Sequence, residues 1–255
     1  MEFSDELLAS LRDARHIAVF TGAGVSAESG IPTFRDALTG LWENYDASTL
    51  ASPEGFAADP ALVWGWYEWR RTRVLRAEPN PAHYAIAALA ADCPRLTLIT
   101  QNVDDLHERA GSADPIRLHG SLHHPRCSAC EAPYRLPPGI PDKPEGGRRV
   151  DPPRCARCGA PVRPRVVWLG ENLPQAAWDA ARQAAEACDL MFSIGTSALV
   201  WPAAQLPALV ARRGATVVQV NPAETALDGH AGYNLRGAAG KVMPLLLQAL
   251  RRSRP

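Results

Sequence analysis

Short apolar runs rich in β-branched residues alternate with longer amphipathic ones along this chain. Residues 17–20, 96–100, 116–118, 190–194 and 216–220 read as buried strands, each followed by a loop carrying Gly, Asn or Ser. Residues 7–15, 174–188, 202–213 and 242–252 read as helices, two of them with proline in the first turn. Strand–helix alternation of this kind predicts an α/β fold, a parallel sheet covered by helices on both faces. In such sheets a ligand sits beyond the carboxyl ends of the strands, so the loops that follow the strands carry the functional information. The pattern breaks twice. Residues 133–164 hold nine of the 23 prolines and no long apolar run, and residues 42–84 hold four of the seven tryptophans and look helical. Both read as insertions that together form a small second domain.

At 255 residues the chain can bury a sizeable core. Lys+Arg and Asp+Glu balance at 27 each, which removes the basic excess expected of a nucleic-acid-binding surface. The acidic start, Met-Glu-Phe-Ser-Asp-Glu, does not fit a secretory signal, and no apolar stretch approaches the ~20 residues of a membrane span. The expected location is cytoplasmic, where cysteines stay reduced. Four of the six cysteines form two Cys-x-x-Cys pairs, Cys127/Cys130 and Cys155/Cys158. Each pair can grip one metal from a tight turn, and two pairs complete the closed thiolate shell of a structural zinc. Such a shell leaves no open position for a substrate, so the chemistry is expected elsewhere. Cys93 and Cys188, in apolar surroundings, read as core.

After the first predicted strand comes Thr21-Gly22-Ala23-Gly24-Val25-Ser26-Ala27-Glu28-Ser29-Gly30. Gly22 and Gly24 permit a tight turn with close approach of a pyrophosphate to backbone N–H groups. The dinucleotide fingerprint is met only in its loose form, through Ala27, and the acidic residue expected about 20 positions on has no clean candidate. The next segment, Ile31 to Asp36, is polar, aromatic and punctuated by proline where an ordinary helix of this fold would be apolar-periodic. Two further loops, 100–107 and 118–121, put amides, carboxylates and an imidazole at strand ends.

With these residues the chain resembles the sirtuins, NAD-dependent protein-lysine deacylases. The resemblance runs from about residue 16 to 245 through seven motifs in order: 22–35, 100–111, 118–121, the two cysteine pairs, 166–171, 195–197 and 220–224. It implies a Rossmann-like NAD domain (1–41, 85–122 and 165–255) and a small domain made of a helical insertion (42–84) and a zinc ribbon (123–164). It further implies NAD as co-substrate, one structural zinc, acylated lysines of proteins as partners, and a substrate cleft between the domains.

By the same resemblance, His119 in Leu-His-Gly-Ser is the catalytic base, able at its ordinary pKa of about 6.5 to take a proton from a ribose hydroxyl. His107 reads as structural. His123 and His124 stay outside the metal shell, which four thiolates fill. Gly22, Ala23, Gly24, Ser26 and Ala27 line the cofactor, with Phe34 covering the reactive ribose and Arg35 beside it. Gln101, Asn102, Val103 and Asp104 hold the ribose and nicotinamide. Gly195, Thr196 and Ser197 contact phosphate and ribose, Asn221 the adenosine ribose, and Ala239 the adenine. Val167 belongs to a segment that pairs with the substrate peptide.

Tyr67 and Arg70 lie three apart on an apparently helical stretch and so share a face. They resemble the Tyr-x-x-Arg of the sirtuin class that removes succinyl, malonyl and glutaryl groups, where a fixed cation meets the acyl carboxylate. The expected function is therefore NAD-dependent deacylation of lysine with preference for acidic acyl groups and weaker action on acetyl, giving nicotinamide, O-acyl-ADP-ribose and free lysine. Alternatives on the same NAD site are a plain deacetylase, an ADP-ribosyltransferase, or a non-catalytic NAD or ADP-ribose sensor. The chain departs from the family pattern at Arg165, where His is usual, at Leu169, where Phe is usual, and in the loop 36–40.

Overall fold

The strand β1 (His16–Thr21) is buried along its whole length, because helices cover the sheet on both sides. Its alternation divides the core. Ile17 and Val19 face one layer and Ala18 and Phe20 the other, as a side-chain period of two requires. This computed structural model describes residues 1–33, 46–139 and 149–253. Around β1 lie β2 (Arg95–Thr100) and β3 (Ile116–Arg117) on one side, and later in the chain β6 (Leu190–Ile194), β7 (Thr216–Asn221) and β8 (Tyr233–Arg236) on the other. The order is β3-β2-β1-β6-β7-β8, and every pairing is parallel. The chain order thus reverses between β1 and β6, and such a reversal opens a crevice at the carboxyl ends of those two strands.

One face of the sheet packs α1 (Asp5–Asp13), α6 (Pro81–Leu89) and α10 (Ala239–Arg252) in a single apolar cluster. The opposite face packs α8 (Gln175–Ala187) and α9 (Gln205–Arg212). Local chemistry starts these helices where they start. Ser4 caps α1 by accepting from Leu7 N–H at 3.3 Å, and Asp5 and Glu6 sit in its first turn. Asn80 caps α6 with Pro81 behind it, and His83 returns a bond to the Asn80 N–H. Glu28, after the short helix α2 (Gly24–Ala27), accepts from Gly240 N–H at 2.7 Å and so neutralises the first turn of α10.

The remaining elements build a separate layer. The helices α3 (Ala47–Leu50), α4 (Pro53–Ala58) and α5 (Pro60–Arg76) share an apolar cluster with Leu122, Val166 and Trp168. Leu122 lies on β4 (Gly120–Cys127), which pairs antiparallel with β5 (Val162–Val166). Ser52 and Asp59 cap α4 and α5, each followed by proline at the first helical position. A further helix, α7 (Leu106–Arg109), is a single turn in the loop after β2.

Some elements differ from expectation. β8 went unforeseen because Tyr-Asn-Leu-Arg is a short, half-exposed edge strand without an apolar run. The 166–171 segment is a strand only at Val166, where β5 ends. α9 begins three residues later than expected, after a turn at 201–204. Among the described residues no helix is long and apolar enough to cross a membrane.

Candidate active site

The loops that follow β1 and β6 meet at the crevice with no room for side chains. Gly22 N–H donates to Ile194 C=O at 3.0 Å and Gly24 N–H to Gly195 C=O at 2.8 Å. A Cβ on Gly195, whose φ is +61°, would lie 2.4 Å from Val25 N, and one on Gly22 would lie 2.8 Å from Gly195 O. Only glycine permits both the approach and the left-handed backbone. Around this junction Gln101 Nε2 donates to Thr196 Oγ1 at 3.1 Å, and Asn221 Nδ2 to Thr196 C=O at 3.0 Å. Four strand-end segments, 22–26, 101–104, 195–197 and 221, are thereby tied to one place. Ala23, Ala27 and Ser197 are exposed there, while Ala239 is buried in the first turn of α10. This is a cradle for an extended, hydrogen-bonding ligand such as a dinucleotide, at the point where the topology puts one.

Beneath the glycine loop lies a buried polar network. Ser26 Oγ donates to Asp104 Oδ2 at 2.9 Å and accepts from Asn102 Nδ2 at 3.1 Å, while Leu106 N–H reaches Asp104 Oδ1 at 3.1 Å. Burial raises the Asp104 pKa, and the hydrogen bond from Ser26 opposes that shift. His83 and His107 stack edge to face, 4.9 Å between ring centres, under the same loop. Burial pushes His83 down to about 4 and His107 down to about 3, so both are neutral at pH 7. His107 Nε2 meets Thr21 Oγ1 at 3.0 Å, in keeping with a structural role. Its Nδ1 is buried and has no hydrogen-bond partner among the described residues.

His119 stands between the sheet and the second layer. Its Nδ1 is 3.0 Å from Gln101 C=O, an acceptor only, so Nδ1 carries the proton and Nε2 keeps its lone pair. Burial lowers the His119 pKa, against the bond to Gln101. The His119 C=O accepts from Val167 N–H at 3.0 Å. Gly120 follows at φ +80°, and a Cβ there would stand 2.0 Å from Arg165 C=O, so β4 can begin only with glycine. His119 is thus held by Gln101 on one side and by the end of β5 on the other.

On α5, Tyr67 is buried and Arg70 half-buried, with the Arg70 guanidinium carbon 4.9 Å from the Trp66 ring centre and 5.7 Å from that of Tyr67. Tyr67 packs in the cluster that also contains Val166, Trp168 and, at its edge, Val103 and Ile31. This places α5 against the 101–104 loop and the end of β5. Burial pushes the Tyr67 hydroxyl up to about 12 and lowers the Arg70 pKa, which neighbouring Tyr67 and Asp104 raise again. The competing aromatic and cationic neighbours are otherwise engaged: Arg71 makes a buried two-point pair with Glu68 at 2.9 and 2.7 Å, and Arg73 lies 4.8 Å from the Trp69 ring centre. Leu169 is 52% exposed, and Arg165 is exposed opposite Ser121.

The sulfur atoms of Cys127, Cys130, Cys155 and Cys158 all lie within 4.8 Å of one another. Contacts of 3.4 Å (Cys127–Cys158), 3.5 Å (Cys130–Cys158) and 3.7 Å (Cys130–Cys155) approach the ~3.8 Å edge of a tetrahedron built on Zn–S bonds of ~2.3 Å. Backbone N–H groups of Cys130 and Arg157 point at Cys127 and Cys155 sulfur at 3.4 Å. The bond from Cys130 is the largest cause that draws the Cys127 thiol down to about 6, toward the thiolate a metal needs. Four cysteines are positioned for one zinc ion. His124 bonds Ser121 and His123 faces Asp105 instead. Cys188 is buried in the core layer beneath α8 and α9, and Cys93 is partly buried against the layer on the other face of the sheet.

The structure therefore brings together the expected residues at 22–27, 101–104, 119, 195–197 and 221, with Tyr67, Arg70 and Val167 adjoining. Phe34, Arg35 and the 36–40 loop lie outside the described residues. Three neighbours were not foreseen: His83, Thr21 and Trp168. Asn80-Pro81-Ala82-His83 carried a signal, a cap followed by proline and a His at the capping-box position, whereas nothing in the spacing marked Trp168.

Comparison with known proteins agrees with this geometry. The model of the family described as "Sir2 family" matches residues 22–202. A protein of Methylococcus capsulatus (strain Bath), named NAD-dependent protein deacylase, is 98% identical over 255 residues, all of both chains. A solved Sir2 homolog–NAD complex is similar at 45% identity with a TM-score of 0.88, covering 99% of this chain and 95% of that one. A Sir2–p53 peptide–NAD+ complex is similar at 31% identity with a TM-score of 0.83, covering 99% and 100%. This chain belongs to the Sir2 family.

Proposed function

We propose that this chain is an NAD-dependent protein-lysine deacylase that favours acyl groups ending in a carboxylate, succinyl, malonyl or glutaryl, over acetyl. The deacylase reading is supported by the family and by the relatives' names. The observation that carries it is His119, a half-buried imidazole with a lowered pKa whose Nδ1 is committed to Gln101 and whose Nε2 is left as an acceptor. A sensor that only bound nucleotide would have no use for a base held in one tautomer.

NAD, when bound, supplies an activated ribose that loses nicotinamide and takes the acyl group. The chain's residues bind, orient and exclude water. Gly22, Ala23, Gly24 and Ala27 with Gly195, Thr196 and Ser197 cradle the phosphates and ribose, and Asn221 and Ala239 hold the adenosine end. Ser26, Asn102 and Asp104, pre-bonded to one another, offer amide and carboxyl groups to nicotinamide and ribose with little reorganisation. Gln101 and Val103 border the reacting ribose; by the family resemblance Phe34 would cover it and Arg35 would contact its phosphate or ribose side. His119 takes a proton from the ribose hydroxyl, and Val167 aligns the peptide. A zinc ion bound by Cys127, Cys130, Cys155 and Cys158 would hold the ends of β4 and β5 and their loops together, with no open position for the reaction.

The acyl preference rests on Arg70 and Tyr67, a cation and a neutral hydroxyl on one face of α5, next to the 101–104 loop. An acyl carboxylate can accept from both, whereas acetyl accepts from neither. The test is a panel of acetyl-, succinyl-, malonyl- and glutaryl-lysine peptides with and without NAD. The expected result is strictly NAD-dependent release, fastest for the acidic acyl groups. Faster release of acetyl would remove the preference but keep the deacylase, and release without NAD would remove both.

A further inference from the structure

We infer that Trp168 is a positioning residue for acyl selection: its indole N–H fixes the Tyr67 hydroxyl so that the phenolic proton is presented to the substrate's carboxylate. The inference deepens the acyl preference proposed above and rests on it.

Trp168 Nε1 lies 2.9 Å from Tyr67 Oη. An indole nitrogen only donates, so the tyrosine oxygen is the acceptor. A phenol holds its single proton in the ring plane, on one side of the oxygen or the other. The oxygen accepts the indole N–H and is in hydrogen-bonding contact with the Arg70 guanidinium as well, so the proton is turned away from both donors. The hydroxyl keeps that proton, since Tyr67 is 4% exposed among apolar rings. Arg70, the other polar group on this face, is likewise donor only. Indole and guanidinium both donate toward the phenol oxygen, and a carboxylate with two oxygens can accept from the phenolic proton and from a further guanidinium N–H.

The indole itself is clamped. Its backbone N–H donates to Glu171 Oε2 at 2.8 Å. The Arg163 guanidinium lies 3.4 Å from its ring centre and binds Glu171 through two bonds of 2.7 and 2.8 Å. Phe56 closes the far side, 5.4 Å between ring centres. A largely buried Arg–Glu pair adds little net stability compared with apolar filling of the same space, so its value here lies in holding one ring at one angle. Without the indole N–H the phenolic proton can turn either way, and part of its contribution to carboxylate recognition is lost.

The test is a double-mutant cycle of Trp168→Phe and Tyr67→Phe, read as kcat/KM for succinyl- and acetyl-lysine peptides at saturating NAD. Trp168→Phe should lower desuccinylation roughly three- to ten-fold, mainly through KM, and deacetylation by clearly less. In the Tyr67→Phe background the same change should add little. Equal losses on both peptides, or a full further loss when Tyr67 is already Phe, would overturn the role of Trp168. If Tyr67→Phe itself affects both peptides alike, the acyl preference falls and takes this inference with it, so the two failures are distinguishable. Should Trp168→Phe not fold, Glu171→Gln, which loosens the clamp, should show the same selectivity and the same dependence on Tyr67. Equal losses there would overturn the inference in the same way.

Discussion

The crevice at the ends of β1 and β6 and the four-cysteine ribbon are built on opposite principles. The ribbon is local: two tight turns, 25 residues apart from Cys130 to Cys155, close one shell with four side chains. The crevice is assembled from segments nearly 200 positions apart, and the sheet topology alone unites them. Its determinants are glycine backbones pressed together and polar groups already bonded to each other. In the ribbon a single ligand holds structure, while in the crevice structure holds the ligands. Damage to the first should therefore appear as lost protein, and damage to the second as lost activity in folded protein.

The largest effect is expected at the ribbon. Structural zinc in small metal-dependent domains is worth about 10–16 kcal/mol of folding free energy at neutral pH. Cys155→Ser should lower zinc content and soluble yield together, measured by metal analysis and by recovery of monodisperse protein. Zinc-free protein that is folded and fully active would erase the contrast drawn here. Next comes Arg70→Met. Losing one partner of a desolvated charge pair costs about 2–5 kcal/mol, so desuccinylation should fall on the order of 30- to 5,000-fold relative to deacetylation. Parallel loss of both activities would mean that Arg70 holds α5 in place instead of selecting the acyl group.

A smaller effect sharpens the contrast from the crevice side, because acid should act there first. His83 and His107 have folded-state pKa values of about 4 and about 3, below the ordinary ~6.5. The unfolded chain then binds more protons between those limits, so stability is fully present above about pH 6.5 and falls as pH drops toward 4 and 3. Each histidine contributes a slope of about 1.4 kcal/mol per pH unit inside the window. Urea unfolding at pH 7.5, 6.5 and 5.5 checks this: a small loss between the first two and a clear further loss by the third is expected. A flat profile down to pH 5 would mean that the two rings are not held neutral.

Legibility in the sequence followed the same division. The ribbon was readable from Cys-x-x-Cys spacing because its geometry is a property of short turns. Five of the six strands of the parallel sheet were readable from their apolar runs, and β8 was not, since Tyr-Asn-Leu-Arg is a half-exposed edge strand without such a run. The crevice residues Gly22, Gln101, His119 and Gly195 were readable only as an ordered set of motifs. Nothing in any one of them fixes that Gly24 meets Gly195 or that His119 bonds Gln101. Trp168 was readable only as a member of the 166–171 motif, because its meaning lies in a contact with Tyr67 across 101 positions. Long-range hydrogen bonds between residues without a shared spacing leave no periodic trace.

The central claim is that the crevice is a catalytic NAD site with His119 as its base. The most direct measurement compares wild type and His119→Ala in nicotinamide release with a saturating succinyl-lysine peptide, alongside NAD affinity by calorimetry on the same preparations. The account predicts a rate lower by ~10²–10⁴-fold with NAD affinity largely retained, since a positioned general base contributes that much and the cradle does not depend on it. Activity within a few-fold of wild type, in protein that still binds NAD, would contradict it.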